Sequence, residues 1–161
     1  MLERNAAANS LPLTPLCADL RQRDALPAGA FQLAVSNPPY FAPHTGAVAE
    51  GVRGDARAEL TASLDDVFAA AKRLLQWGGR FCLVYRSERL AALMAAAAAH
   101  GLEPKRLRLV QHTAQSAPSL LLLECRRGGK PGLSVEPPLL LHLPDGGESP
   151  DVRRAYFRDK E

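Results

Sequence analysis

Hydrophobic residues recur at three- and four-residue spacing in two parts of the chain, and this period predicts two amphipathic helices. The first helix covers about 60–75, and Gly78 and Gly79 are expected to end it. The second helix begins near Ser87, a suitable N-cap residue, and closes at Gly101. The apolar positions are Leu60, Leu64, Val67, Phe68, Ala71, Leu74 and Leu75 in the first helix and Leu90, Leu93, Met94 and Ala97 in the second.

Short apolar runs before, between and after these helices predict β-strands. One run stands directly before Asn37, another follows the glycine pair, and the last two flank a polar stretch that is typical of a hairpin connection. The order strand, helix, strand, helix and two strands predicts an α/β sheet with an antiparallel strand pair at its far end. The predicted strands are 33–35, 81–85, 107–110 and 120–123, with a further candidate at 13–17 that ends at Asp19.

The length and composition of the 161-residue chain limit the number of domains and argue against a membrane-spanning or secreted protein. With 47% hydrophobic residues, the chain is long enough for one domain with a core. No apolar run has the length of a membrane span, and the first residues lack the apolar centre of a secretory signal, so we expect a cytoplasmic protein. We divide the chain into a domain over 1–128 and an extended Pro/Gly-rich segment over 129–161, with a short helix at about 150–157.

Charge and potential ligand residues change this picture little. The net charge of +3 and the pI near 9.0 are compatible with an anionic partner, but also with ordinary solvated surfaces. The four histidines lie in different predicted elements without the spacing of metal ligands, so no metal is expected. The three cysteines form no CxxC pair, which indicates neither a zinc site nor a disulfide framework.

The residues that suggest chemistry are Asn37, Pro38, Pro39 and Tyr40, directly after the strand at 33–35. Open α/β sheets bind ligands at the carboxyl ends of their strands. An exocyclic adenine amine is a poor nucleophile because its lone pair is delocalised into the ring. Two acceptors, the Asn37 side-chain oxygen and the Pro38 carbonyl, can hold the amine so that this lone pair points at a methyl group. The prolines would fix the acceptors, and Tyr40 would stack on the base.

A purely structural interpretation of this motif competes with the catalytic one. Asn-Pro is common in turns, so the four residues could close the strand while Tyr40 packs in the core. We favour catalysis because all four stand in order directly after an apolar strand.

The motif at 37–40 resembles that of class I methyltransferases that modify planar amino groups, in adenine of DNA or RNA or in glutamine of release factors. Further segments are similar to the bacterial tRNA(Val) adenine-N6 methyltransferases, which act on the anticodon-loop adenosine. The resemblance extends from about Leu2 to Tyr156, with a departure at Ala58, where relatives usually carry an aromatic residue or histidine. The similar segments are NPPYF (37–41), ARAE (56–59), LDDV (64–67), YRSERL (85–90), LEPKR (102–106) and GKP (129–131).

This resemblance implies a Rossmann-like class I methyltransferase sheet, with S-adenosylmethionine as cofactor and tRNA as partner. It implies that Asp19, Leu20 and Asn37 lie at the cofactor and that Phe41, Arg53 and Arg57 meet the RNA. An N-cap role would explain Asp19 equally well, and solvation would explain the two arginines equally well.

The amino-terminal part departs from the family pattern. No glycine-rich turn of the GxGxxG kind occurs in the chain, and residues 2–9 resemble the helix that follows the second strand of the family sheet. We therefore expect a sheet that is incomplete at its amino end, with the strand at 33–35 left as an unpaired edge, and an isolated chain without activity.

The expected function is S-adenosylmethionine-dependent methylation of adenine N6 in tRNA. The alternative enzyme activity is methylation of a protein glutamine or of DNA adenine through the same motif. The alternative outside the enzymes is a non-catalytic remnant that binds RNA or a protein partner.

Overall fold

The computed structural model describes residues 2–38 and 62–158, and the strands in these ranges form one mixed sheet. Across the sheet the strand order is β1-β2-β4-β3-β5, where the strands are β1 (Phe31–Ser36), β2 (Leu75–Arg86), β3 (Leu102–Gln111), β4 (Leu120–Arg127) and β5 (Ser134–Leu140). β1 runs parallel to β2 and β5 runs parallel to β3, whereas β4 is antiparallel to both of its neighbours. The helices are α1 (Leu2–Ala8), α2 (Leu64–Leu74), α3 (Leu90–Ala99) and α4 (Pro150–Ala155).

Helix α2 lies in the connection from β1 to β2 and begins with a capping box. The Ser63 hydroxyl oxygen accepts a hydrogen bond from the Asp66 backbone N–H at 3.1 Å, and the Asp66 carboxylate accepts one from the Ser63 backbone N–H at 2.8 Å. Hydrogen bonds from the Ser63 side chain and backbone lower the pKa of Asp66. The predicted apolar stripe faces the sheet, where Val67, Phe68 and Ala71 are buried. The hydrophobic period therefore predicted this helix correctly over its described part.

The expectation that the glycine pair ends this helix is wrong. Helix α2 ends at Leu74, and the buried Leu75 already has the extended backbone of β2. Leu75 pairs with Phe31, but the next pair on these strands is Arg80 with Leu33, so the residues between Leu75 and Arg80 form a bulge. The bulge requires both glycines. Gly78 has a φ of +79°, in the left-handed region, and a Cβ on Gly79 would lie only 2.9 Å from the Gln76 carbonyl oxygen.

The second predicted helix exists, but Ser87 does not cap it. Residues Ser87–Arg89 form a 3₁₀ turn before α3, and neither the turn nor the helix has a side-chain cap. The Ser87 hydroxyl instead donates to the Pro118 carbonyl at 2.5 Å, which ties the turn to the β3–β4 connection. Gly101 follows the helix with a φ of +64°, as a residue that closes a helix in the left-handed region should.

The core lies between helices α2 and α3 and one face of the sheet. Its fully buried side chains include Phe68 on α2, Leu93 on α3 and Phe81 on β2. Alternate residues of the central strands join them, because side chains along a strand point to opposite faces in turn. Each buried Leu or Phe contributes on the order of 1.5–3 kcal/mol of hydrophobic stabilisation. The strand residues in the core are Leu75, Phe81, Leu83, Tyr85, Leu102, Leu107, Leu121, Leu123 and Cys125.

The sequence suggested that the antiparallel pair lies at the far end of the sheet, and this expectation is wrong. Strand β4 turns back between β2 and β3, and the outer position is taken by β5, within the segment predicted to be extended. This strand contains Pro137 and Pro138, although proline lacks a donor for the sheet ladder. An edge strand tolerates them, and the Pro137 carbonyl accepts a hydrogen bond from Arg108 Nε at 2.9 Å.

The candidate strand at 13–17 is absent from the structure. These residues have no strand partner, and Leu13 and Leu16 are exposed. A strand requires a neighbour for its backbone hydrogen bonds, and an apolar run alone does not supply one. Strand β1 is thus an outer strand of the sheet within the described residues, as the sequence led us to expect.

Candidate active site

Asn37 lies at the carboxyl end of a parallel strand, as the motif predicted. It follows Ser36, the last residue of β1, which pairs with Leu83 of β2. The neighbouring Pro38 is buried, whereas Asn37 is exposed. The chain therefore anchors the proline in the protein and presents the asparagine at the surface. Pro39, Tyr40 and Phe41 lie outside the described residues, as do Arg53 and Arg57.

Asn37 lines a cavity of about 410 Å³ on the face of the sheet opposite to α2 and α3. The part nearest to Asn37 is apolar, with Val35 of β1 and Val84 of β2 in its wall. The far part is charged. The lining residues are Val35, Ser36, Asn37, Cys82, Leu83, Val84, Arg106, Arg108, Leu122, Leu123, Glu124 and Glu136.

The charged wall is an ion-pair network centred on Arg106. Its guanidinium donates to Glu136 at 2.7 Å and to Glu124 at 3.3 Å. The hydrogen bond between Arg106 and Glu136 lowers the pKa of Glu136 and raises the pKa of Arg106. Next to this network, Arg108 pairs with Asp151 of α4. Each charge faces an opposite one, so this wall is a neutralised surface.

Cys82 lines this cavity and carries a thiol, a potential nucleophile. Burial raises the pKa of its thiol, with a smaller contribution from Glu124. A thiol with a raised pKa is protonated near neutral pH and is a poor nucleophile. Covalent catalysis by Cys82 is therefore disfavoured, whereas the Asn37 side chain can form hydrogen bonds at this cavity.

Asp19 and Leu20 do not share this cavity with Asn37. Leu20 lines a separate depression together with Asp66 and Arg73 of α2. The Asp19 carboxylate accepts hydrogen bonds from the Arg21 side chain, the shortest at 2.6 Å, and from the Arg21 backbone at 2.9 Å. These bonds lower the pKa of Asp19 to about 2. No helix follows Asp19 at 20–23, so the N-cap explanation of this residue is wrong.

Within the described ranges, no group of three or more His, Cys, Asp or Glu side chains is arranged so that it could hold a metal ion. Within the same ranges, none of the helices has the length and hydrophobicity that a bilayer span requires.

The sequence did not point to the cavity residues outside the motif. Arg106, Arg108 and Glu136 come from β3 and β5, and they reach the cavity only through the pairing of those strands. The alternation of Arg106 and Arg108 with the apolar Leu107 was a usable sign that both arginines share the face opposite to the core.

Comparison with solved structures identifies the fold. The protein is similar to a predicted O-methyltransferase from Agrobacterium tumefaciens, with a TM-score of 0.64 and 20% sequence identity over 84% of this chain and 58% of the other. The chain has the Rossmann-like methyltransferase fold. This confirms the expected fold class, and the chain spans 58% of the length of that relative.

A weaker similarity links this methyltransferase-like chain to a candidate DNA modification methylase from Thermus thermophilus. That protein aligns with a TM-score of 0.47 and 21% identity over 84% of this chain and 57% of its own. Its complex with S-adenosyl-L-methionine aligns with a TM-score of 0.47 and 18% identity over 72% and 54%. Scores of this size do not establish a common fold. No protein-family model matches the sequence, and neither does any curated protein.

Proposed function

We propose that the protein methylates a planar amino group and that the group is adenine N6 in tRNA, at the anticodon-loop adenosine of tRNA(Val). The observation that carries this proposal is the position of Asn37 and Pro38. They stand at the carboxyl end of β1, beside a cavity, in a Rossmann-like methyltransferase fold. Ligands of open α/β sheets bind at this place.

The chemistry assigned to Asn37 and Pro38 concerns the acceptor amine. The Asn37 side-chain oxygen accepts one amino hydrogen and the Pro38 carbonyl accepts the other, which orients the nitrogen lone pair for attack on the methyl group. Because Pro38 is buried and the proline that follows it restricts its ψ, its carbonyl is held in place before substrate arrives. The adenine would be flipped out of the RNA to reach this site.

The methyl donor implied by the sequence resemblance is S-adenosylmethionine. The described residues do not by themselves fit it, because Asp19 is engaged by Arg21 and Leu20 faces a different depression from Asn37. We therefore assign Asn37 and Pro38 to the acceptor side only and assign no residue to the donor side.

The choice of tRNA rests on the segments that resemble those of the tRNA(Val) adenine-N6 methyltransferases. The basic pI of about 9.0 is compatible with it. Tyr40 as the stacking residue and Phe41, Arg53 and Arg57 as RNA contacts belong to the same proposal, as does a cytoplasmic location.

The test uses the native protein isolated from its source, since the described residues supply only the acceptor side. It is incubated with methyl-labelled S-adenosylmethionine and, separately, with tRNA, with DNA and with a release factor. Label in tRNA that digestion recovers as N6-methyladenosine supports the proposal. Label in DNA or in the release factor would replace tRNA by that substrate. Absence of label from all three polymers would favour a non-catalytic role.

A further inference from the structure

Trp77 is the single tryptophan of the chain, and 77% of it is exposed. It lies in the bulge at the start of β2, where β2 pairs with the first residue of β1. Asn37 follows the last residue of β1, so Trp77 and Asn37 are at opposite ends of the sheet.

The indole ring is held against the backbone of Gly128. A Cβ on Gly128 would lie 2.3 Å from Cζ2, 2.5 Å from Cε2 and 2.6 Å from Cη2 of Trp77. Three bonded ring atoms at nearly equal distances mean that Gly128 meets the face of the ring and not its edge. With one face on Gly128 and most of the side chain exposed, the opposite face is turned to solvent. Such a face is suited to stacking with a nucleobase.

Four cationic residues lie near Trp77 along the paired strands and the segment after Gly128, and we call them together with Trp77 the Trp77 patch. The Arg126 Nε donates to the Gly78 carbonyl at 3.1 Å, directly beside Trp77. Lys105 Nζ donates to the Lys130 carbonyl at 3.1 Å, in the segment that follows Gly128. Arg80 is the direct cross-strand partner of Arg126. The Trp77 patch consists of Trp77, Arg80, Lys105, Arg126 and Lys130.

No carboxylate in the described residues forms an ion pair with the cations of the Trp77 patch. Within residues 2–38 and 62–158, none of the four forms an ion pair, whereas arginines elsewhere do so repeatedly. Glu103 is paired in register with Arg126 and provides one opposing charge. Like charges directly opposite each other, such as Arg80 and Arg126, destabilise a sheet, and an anionic ligand would relieve this repulsion.

We propose that the Trp77 patch binds a single-stranded segment of RNA. One base stacks on the outer face of Trp77, and the flanking phosphates lie against Arg80 and Arg126. Stacking on any base together with contacts to the backbone is the chemistry of sequence-tolerant binding to single strands. The choice of RNA over DNA rests on the proposed function. Trp77 is on the order of 20 Å from Asn37 along the strands, so the base that stacks on it is remote from the target base.

Because Trp77 is the only tryptophan, its fluorescence reports on this site alone. The full chain is titrated with an oligouridylate, which is single-stranded and carries no exocyclic amine for the Asn37 site. Binding is followed by tryptophan fluorescence and, in parallel, by the anisotropy of a labelled strand. We expect saturable quenching that coincides with the anisotropy change. Binding without quenching would overturn stacking on Trp77, and tighter binding of the matching deoxyribonucleotide strand would overturn the choice of RNA.

Substitutions separate stacking from charge. Trp77→Ala should weaken binding roughly 5- to 100-fold, and Trp77→Phe should lose less because a ring remains. Arg126→Gln should weaken binding and reduce the slope of log affinity against log salt by about 0.7, the value for one phosphate contact on a single strand. Arg154→Gln on α4 is the matched charge control and should do neither. Unchanged affinity in both Trp77→Ala and Arg126→Gln would overturn the proposal.

A pair of glycine variants tests the position of the ring. Gly128→Ala and Gly146→Ala both place a side chain at positive φ, +66° and +83°, but only the first puts a Cβ into the Trp77 ring. Gly128→Ala should therefore weaken RNA binding, whereas Gly146→Ala should not. Equal effects of the two variants would contradict the role of the ring.

The failure of this proposal can be told from the failure of the proposed function. Binding is measured without a methyl donor and on a strand that carries no exocyclic amine, so its outcome does not depend on methyl transfer. Loss of oligouridylate binding in Trp77→Ala, together with absence of methyl transfer to tRNA by the wild type, would support the Trp77 patch and overturn only the proposed function.

Discussion

The ring of Phe68 packs edge-on against the ring of Phe81, with centroids 5.2 Å apart and planes at 87°. Phe68 belongs to α2 and Phe81 to β2, and both side chains are fully buried. Since α2 lies in the connection from β1 to β2, this contact packs the connecting helix onto the sheet.

Phe68→Ala should therefore destabilise the whole sheet. Removing this ring leaves a cavity and loses the contact with Phe81, at a cost of about 3–5 kcal/mol in the free energy of unfolding. Phe68→Leu, which keeps most of the volume, should cost less. Urea unfolding measures both. Leu133→Ala, at a residue that is 42% exposed, is the control and should change stability by no more than about 0.5 kcal/mol. A similar small loss in Phe68→Ala would contradict the described core.

The capping box of α2 predicts a dependence of stability on pH. Folding lowers the pKa of Asp66 through its hydrogen bonds with Ser63, so the ionised carboxylate favours the folded state. This contribution is complete above the unfolded pKa of about 3.9 and is lost as the pH falls through the lower folded pKa. Ser63→Ala should cost about 1 kcal/mol at neutral pH, and the difference from wild type should shrink on acidification.

Urea unfolding of Ser63→Ala and wild type over a pH series tests this linkage. Ser134→Ala on the exposed edge strand β5 is the control. A difference between Ser63→Ala and wild type that stays constant down to strongly acidic pH would show that the Asp66 carboxylate does not contribute.

The three cysteines should differ in reactivity. Burial raises the pKa of Cys125 to about 12, whereas Cys17 is exposed. Iodoacetamide reacts with the thiolate, so at about pH 8 it should alkylate Cys17 and leave Cys125 unmodified until urea unfolds the protein. Mass spectrometry of the peptides measures both sites. Alkylation of Cys125 in the folded protein at the rate of Cys17 would contradict its burial.

The outer strand β1 should promote aggregation. Leu33 and Val35 are 45% and 73% exposed on this strand, and exposed apolar edge strands pair with other chains. Leu33→Lys should reduce aggregation at high protein concentration, measured by light scattering. Leu133→Lys alters a residue of similar exposure outside any strand and should have a smaller effect. Equal effects of the two changes would mean that general charge, and not the edge of β1, controls aggregation.

Local patterns were sufficient to predict α2, α3 and most strands. A helix repeats its apolar face within a few residues, so Val67, Phe68 and Ala71 already mark the buried side. Gly78 and Gly79 were misinterpreted because glycines end helices and also permit bulges, and only the pairing of β1 with β2 distinguishes the two.

The pairing of strands that are distant in the chain could not be predicted from the sequence. No local sequence pattern indicates that β4 inserts between β2 and β3, or that the proline-containing β5 forms the edge next to β3. The same limit applies to the candidate site. Asn37 could be found from its neighbours in the chain, whereas Arg106 and Glu136 meet at the cavity only because β3 pairs with β5.

Methyl transfer by Asn37→Ala compared with wild type tests the central claim most directly. The native protein and the variant are assayed with methyl-labelled S-adenosylmethionine and tRNA. Asn9→Ala, which removes an exposed asparagine side chain from the segment after α1, controls for general effects of the substitution. We predict a loss of at least about 100-fold in Asn37→Ala, because a positioned acceptor is removed, and near-normal transfer in Asn9→Ala. Near-normal transfer by Asn37→Ala would contradict the account.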